Sequence, residues 1–211
     1  MKIPAITLAA LLLGVATANA QQAVDRTVPT SATGSVSVWN LAGRVTVKGW
    51  DRQEIRVTGQ LGRGTERLDI TGGAADTDIR VVIPRNAHNV QGSELEIHVP
   101  AGKAVTVHGT SADVEVDGVA GEVNARSTSG DVRVSGSPAT VDAGSTSGDV
   151  EVHASTRSIR AHSVSGDVQV SGSARESVSA ESVSGDVTVS APTQDMLVKS
   201  VSGDLNVTGA A

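Results

Sequence analysis

Six aspartates recur at a near-constant interval: Asp113, Asp131, Asp149, Asp167, Asp186 and Asp204, in steps of 18, 18, 18, 19 and 18 residues. A row of carboxylates can collect a hard cation, or it can accept backbone N–H groups at a succession of turns. Calcium takes six or more oxygens, and the surrounding motif supplies few. Five of the six stand in Ser-Gly-Asp-Val or Ser-Gly-Asp-Leu, with one Gly before the Asp and an apolar residue directly after it. The calcium-binding β-roll instead repeats Gly-Gly-x-Gly-x-Asp-x-apolar, and here only alternate half-turns carry the motif. The reading adopted is structural: Gly supplies a positive φ, and Asp or Ser bonds the amides of the corner. A calcium ladder on the same six aspartates is the alternative. Like charges at strand spacing repel by about 1 kcal/mol or less in water, and salt reduces this, so the row can stand without a ligand.

Other candidate chemistry is sparse. Ser pairs flank each corner (Ser127/Ser129, Ser145/Ser147, Ser163/Ser165, Ser182/Ser184, Ser200/Ser202) and are expected to form hydroxyl ladders. Between them lie Thr128, Thr146, Val164, Val183 and Val201, which are expected to point into the core because β-branched residues in repeats mostly pack. The alternative is an outward apolar stripe able to touch a partner. The histidines (His88, His98, His108, His153, His162) are scattered, without ligand spacing. His98 and His108 each follow an inward position and are expected to face solvent. There is no nucleophile elbow and no phosphate loop. Polysaccharide cleavage would need paired acids over a cleft, whereas Glu115, Glu122 and Glu151 are single. No catalytic residue, cofactor or metal is assigned, and the chain is read as not an enzyme, with a polysaccharide-active β-helix enzyme as a further alternative.

The elements that carry these residues are short strands. Val132/Val134, Val150/Val152, Val168/Val170 and Val187/Val189 follow the aspartates. A weaker set lies between them: Val123/Ala125, Val141/Ala143, Ile159/Ala161, Val178/Ala180 and Met196/Val198. Alternation of β-branched and polar residues, broken by Gly, Ser and Pro, is the strand signal. Two strands in each 18-residue period predict an all-β chain wound as a β-solenoid, residue i resting on i+18 about 4.8 Å away. Inward Val and Ala then build a thin core, each Val contributing about 1.5–2 kcal/mol on burial. An antiparallel meander or sandwich fits the same period less well, because identical corners gain most by stacking on themselves.

Residues 34–103 are less regular. Val36/Val38, Val45/Val47 and Ile55/Val57 keep steps of nine and ten, then longer loops follow. This part is expected to be the divergent start of the stack, capping its first coil, with regular repeats over 104–209 and a linker over 21–33. Trp50 is expected to pack over the first coil.

Composition narrows the function. Aromatics are 1% of the 211 residues, the formal charge is −6, and there is no Cys. Disulfides and thiolate chemistry are excluded, and a nucleic-acid partner is not expected without a basic footprint or aromatic platforms for bases to stack on. Residues 1–20 have the form of a secretory signal peptide: Lys2, an apolar run from Ile3 to Ala16, and Ala18-Asn19-Ala20 before cleavage after Ala20. The protein is therefore expected in the periplasm or outside the cell, with no membrane span after cleavage. The strand at Val207 leaves an open edge, through which self-association is one expected contact.

Three blocks carry a resemblance. Gly43-Arg-Val-Thr-Val-Lys-Gly-Trp-Asp-Arg-Gln-Glu-Ile-Arg-Val57, then Leu95-Glu-Ile-His-Val-Pro-Ala-Gly102, then the Ser-Gly-Asp-Val repeats occur in this order. Together they resemble the bacterial "putative adhesin" β-strand-repeat domain, a domain of unknown function, over roughly residues 34–208. The first block looks like its opening strand pair. The resemblance implies an exported, solenoid-like, non-catalytic surface or envelope protein, and brings no site residues. The partner expected is a protein or glycan surface held against a polar wall.

Overall fold

The structure is a computed structural model that describes residues 22–84, 87 and 89–209. The proposed cleavage site at Ala20 and the side chain of His88 lie outside the described residues. Fifteen strands, and no helix among the described residues, make the chain all-β. They are β1 (Gln22–Pro29), β2 (Ser35–Trp50), β3 (Glu54–Leu61), β4 (Arg67–Gly72), β5 (Asp76–Val82), β6 (Ser93–Pro100), β7 (Ala104–Asp117) and β8 (Glu122–Arg126). There follow β9 (Val132–Gly136), β10 (Thr140–Gly144), β11 (Val150–Ser163), β12 (Val168–Ser182), β13 (Val187–Ser190), β14 (Asp195–Ser200) and β15 (Leu205–Thr208).

From β7 onward every pairing is parallel. Val132 lies opposite Val114 on one side and opposite Val150 on the other. The 18-residue period is thus a register: each repeat lays one strand on each of two rows, directly against its equivalents before and after. An antiparallel meander does not occur in this part. The single 19-residue step falls at a bulge where β11 and β12 bend from one row to the other. Four residues separate His153 from Ser158, whereas five separate their partners Ser171 and Ser177.

The alternation seen in the sequence becomes four inward columns. One runs Val36, Val105, Val123, Val141, Ile159, Val178; its neighbour runs Val38, Val107, Ala125, Ala143, Ala161, Ala180. In the opposite row stand Val45, Val114, Val132, Val150, Val168, Val187, and beside them Val47, Val116, Val134, Val152, Val170, Val189. All of these side chains are buried. A core between rows this close holds Val and Ala, and the two aromatics stand outside it.

The N-terminal part departs from its expected linear order. β7 returns to pair with β2 at an offset of 69 residues, Val36 opposite Val105 and Val45 opposite Val114. The other edge of β2 is taken by β5 and β6, also parallel to it. β3 then adds antiparallel to β6, β1 to β3, and β4 to β5. The spatial order is β1-β3-β6-β2-β7, so the chain builds outward from β2 on one side before crossing back to grow on the other. Consequently the strands within Gly43–Val57 are not neighbours, since β6 lies between them. The reason is matching alternation: Leu95 and Ile97 of β6 continue the columns of Val45 and Val47, which a local reading of period cannot anticipate.

Candidate functional site: the corner ladder and the outer walls

Each Ser-Gly-Asp corner is stitched to the one before it. Oδ1 of Asp113 accepts the N–H of Asp131 at 3.2 Å, and Asp131 accepts that of Asp149 at 3.0 Å. The pattern continues from Asp149 to Asp167 and from Asp167 to Asp186 at 2.9 Å, and from Asp186 to Asp204 at 2.8 Å. The six aspartates therefore form one file, with one oxygen of each of the first five engaged by the next layer's main chain.

The first Ser of each pair is turned inward. Ser145 Oγ donates to the carbonyl of Gly130 at 2.9 Å and accepts the N–H of Gly148 at 3.0 Å. Ser127 and Ser163 make the same two bonds, and Ser182 and Ser200 donate in the same way. These hydroxyls satisfy buried backbone groups that would otherwise cost free energy. The second Ser of each pair acts through its backbone: Ser147 N–H donates to the carbonyl of Thr128, and Ser165 N–H to that of Thr146.

Two expectations are corrected here. The corner glycines do not have positive φ. They are required by close approach: a Cβ on Gly148 would lie 2.3 Å from the Gly130 carbonyl oxygen, and one on Gly166 would lie 2.2 Å from that of Gly148. Secondly, Thr128, Thr146, Val164, Val183 and Val201 point outward, not into the core; all five are exposed. The inward position is occupied by the preceding Ser, so alternation turns the next residue to solvent. With Leu41 and Thr110 they form a ridge of exposed side chains along the corner.

The two tryptophans mark the outer surface of the first layers. Trp39 stacks on His108 with ring centroids 4.1 Å apart, and the guanidinium of Arg80 lies 5.2 Å from the Trp39 ring. Burial, aided by Arg126, holds the His108 imidazole below the ordinary range for His. Trp50 packs at 5.0 Å from His98 and donates its indole N–H to the carbonyl of Glu54. Neither histidine therefore simply faces water. Both pairs span long separations in the chain and repeat nowhere else, so no sequence signal points to them.

Lys103 is a residue that sequence reading passes over. It is fully buried in the turn between β6 and β7. Its ammonium donates to the carbonyls of Ala75 at 2.6 Å, Thr33 at 3.2 Å and Ala74 at 3.3 Å. Burial pushes its pKa below the usual Lys range, an effect partly offset by Asp76. It fastens the crossing from β6 to β7 onto the segments before β2 and β5.

On the outer face of the first row, Arg126 bonds Asp142 at 2.9 Å, and His162 leans into the space left by Gly144. The opposite face carries Arg133 between Glu151 and Asp131. Glu115, Glu122 and Glu151 are exposed on these faces. Among the described residues no group of three His, Cys, Asp or Glu is placed to hold a metal, and no helix is long and apolar enough to cross a membrane.

No curated protein matches this chain. Among solved structures it is similar to a putative adhesin from Bacteroides fragilis NCTC 9343, with a TM-score of 0.52 and 13% identity over 91% of this chain and 98% of that one. It is also similar to a putative adhesin from Parabacteroides distasonis ATCC 8503, with a TM-score of 0.44 and 10% identity over 90% of this chain and 96% of that one. A putative cell adhesion protein from Clostridium sporogenes ATCC 15579 gives a TM-score of 0.40 and 8% identity, covering 90% of this chain and 100% of that one. The first of these shares its fold with the present chain. The family described as Toastrack DUF4097 matches residues 18–210, nearly the whole sequence, and the chain belongs to that family.

Proposed function

We propose that this protein is an exported, non-enzymatic β-solenoid that holds a partner against its outer wall, in an adhesin-like binding or structural role. One observation carries the reading. The recurrent polar groups, the aspartates and the inward serines, are bonded to the main chain of adjacent layers. The most repeated chemistry of the sequence thus serves to hold the stack together, and the outward side chains are left to meet a partner. The signal-peptide form of residues 1–20 and the adhesin descriptions of its structural neighbours accord with an exported location.

The test is a pull-down from intact cells with the tagged full chain, combined with fractionation of periplasm and medium. The reading expects the protein in one of those two fractions and a partner retained on it; a cytoplasmic protein that retains nothing overturns it. Against a calcium-binding role, EDTA is expected to leave the melting temperature unchanged. A drop in Tm that added Ca²⁺ restores would favour the calcium ladder.

A further inference from the structure

The one break in the 18-residue rhythm coincides with a surface groove. In the other turns that link the two rows, four residues separate the paired strand positions, as between Ser135 and Thr140 or between Ser190 and Asp195. Between Ser171 and Ser177 there are five. The added residue falls at Arg175–Glu176, because Thr156 still pairs with Ala174 and Ser158 with Ser177. Beside this turn lies a groove of about 530 Å³, lined among others by Ser137, Ser155, Ser173, Arg157, Arg175 and Glu176. A repeat array that departs from its own rule at one place marks that place for something other than stacking.

The lining brings two arginines and a file of serines together. Arg157 and Arg175 are exposed, and among the described residues neither guanidinium forms an ion pair or a hydrogen bond. Arg44, Arg56, Arg67, Arg126 and Arg133 are each joined to a carboxylate; Arg26, Arg63 and Arg160 also lack a side-chain partner among the described residues, but they do not line this groove. Ser137, Ser155 and Ser173 are successive equivalents at 18-residue spacing, and Ser173 Oγ donates to Ser155 Oγ at 3.3 Å. Strand spacing sets the successive layers about 4.8 Å apart, so the file presents one hydroxyl per layer along the groove. Glu176 is the one acid in the lining, which leaves the three charged groups net positive in a chain of formal charge −6.

We infer that this groove binds an acidic linear glycan: two free guanidiniums take its carboxylate or sulfate groups, and the serine file meets its hydroxyls. Guanidinium forks suit planar and tetrahedral anions in a way that lysine does not, and the lining offers no apolar pocket for the side chains of a peptide. The inference rests on the wall-binding reading above and names a ligand class for it.

The full chain is titrated calorimetrically with polygalacturonate, dextran sulfate, neutral dextran and poly-glutamate. Saturable binding to polygalacturonate or dextran sulfate is expected, and the stronger of the two identifies carboxylate or sulfate as the recognised group. Dextran and poly-glutamate are expected not to bind. Arg157→Gln and Arg175→Gln should each weaken binding by about tenfold without lowering Tm, and Glu176→Gln should strengthen it. The inference is overturned if no acidic glycan binds, if dextran or poly-glutamate binds equally well, or if the arginine variants retain full affinity. A partner captured from cells equally by wild type and by the arginine variants would sink the groove alone, whereas failure to capture any partner tells against the wall reading itself.

Discussion

Oδ1 of Asp149 accepts the backbone N–H of Asp167 at 2.9 Å, one layer along the stack. A side chain of one repeat therefore completes the main chain of the next. The acceptor needs no negative charge to do this. Asp149→Asn is expected to stay within about 0.5 kcal/mol of wild type, whereas Asp149→Ala, which leaves the amide without its partner, should cost about 1–2 kcal/mol. Urea unfolding of the two variants separates them; equal losses would show that charge, not acceptance, is what the corner requires.

Gly148 is held by contact, not by φ. Its Cβ would meet the Gly130 carbonyl oxygen at 2.3 Å, so Gly148→Ala must push two layers apart and is expected to cost about 2–3 kcal/mol. Gly73, where an added Cβ meets nothing within 4 Å, is the control. Gly73→Ala should be neutral or up to about 1 kcal/mol stabilising. Thermal denaturation of both proteins checks the contrast.

The outward turn of the ridge residues has a direct energetic signature. Val183 is 45% exposed and Val187 is fully buried, although they are four residues apart in the same repeat. Val183→Ser should change stability by no more than about 0.5 kcal/mol, and Val187→Ala should cost about 2 kcal/mol through lost burial and the cavity left behind. Denaturant midpoints decide; a large loss at Val183 would return it to the core.

Lys103 donates to three carbonyls from two separate segments. Lys103→Met keeps most of the volume and removes the donors, leaving buried oxygens unpaired. A loss of about 3 kcal/mol is expected. Hydrogen exchange should show the loss concentrated at the crossing between β6 and β7 and at the N-terminal strands, with the repeats after β9 protected as before.

His108 makes stability depend on pH in a defined direction. Its folded pKa lies below the ordinary value of 6.5, chiefly because of burial and secondarily because of Arg126. The unfolded chain thus takes up the proton first as pH falls. The contribution is complete above about pH 6.5 and is lost as pH falls through the folded value. Unfolding free energies measured from about pH 7.5 to pH 5 should decline, and His108→Gln should flatten that part of the slope.

Much of the regular half could be read from residues alone. A step of 18 between identical corners, with Val at alternating positions, specifies both the strands and the partner of each, because a parallel register of i+18 is the arrangement that buries every Val on its own kind. The inward columns of Val132, Val150 and Val168 follow from that. So does the corner file of aspartates, since repetition forces equivalent residues into line. Repetition does not say which way a corner residue turns. Val164 and Val183 are as apolar as the core residues, and the inward bonding of the preceding Ser163 and Ser182 to the layer before sends them outward. Nor does it say why the corner is Gly, which depends on a carbonyl one layer away. The N-terminal half lacks the period, and its decisive pairings join residues 69 apart, as Val45 with Val114, or bring Lys103 to Ala75. Such contacts depend on which strand edges remain free once the sheet is assembled, and that is a property of the whole fold that no local pattern of residues encodes.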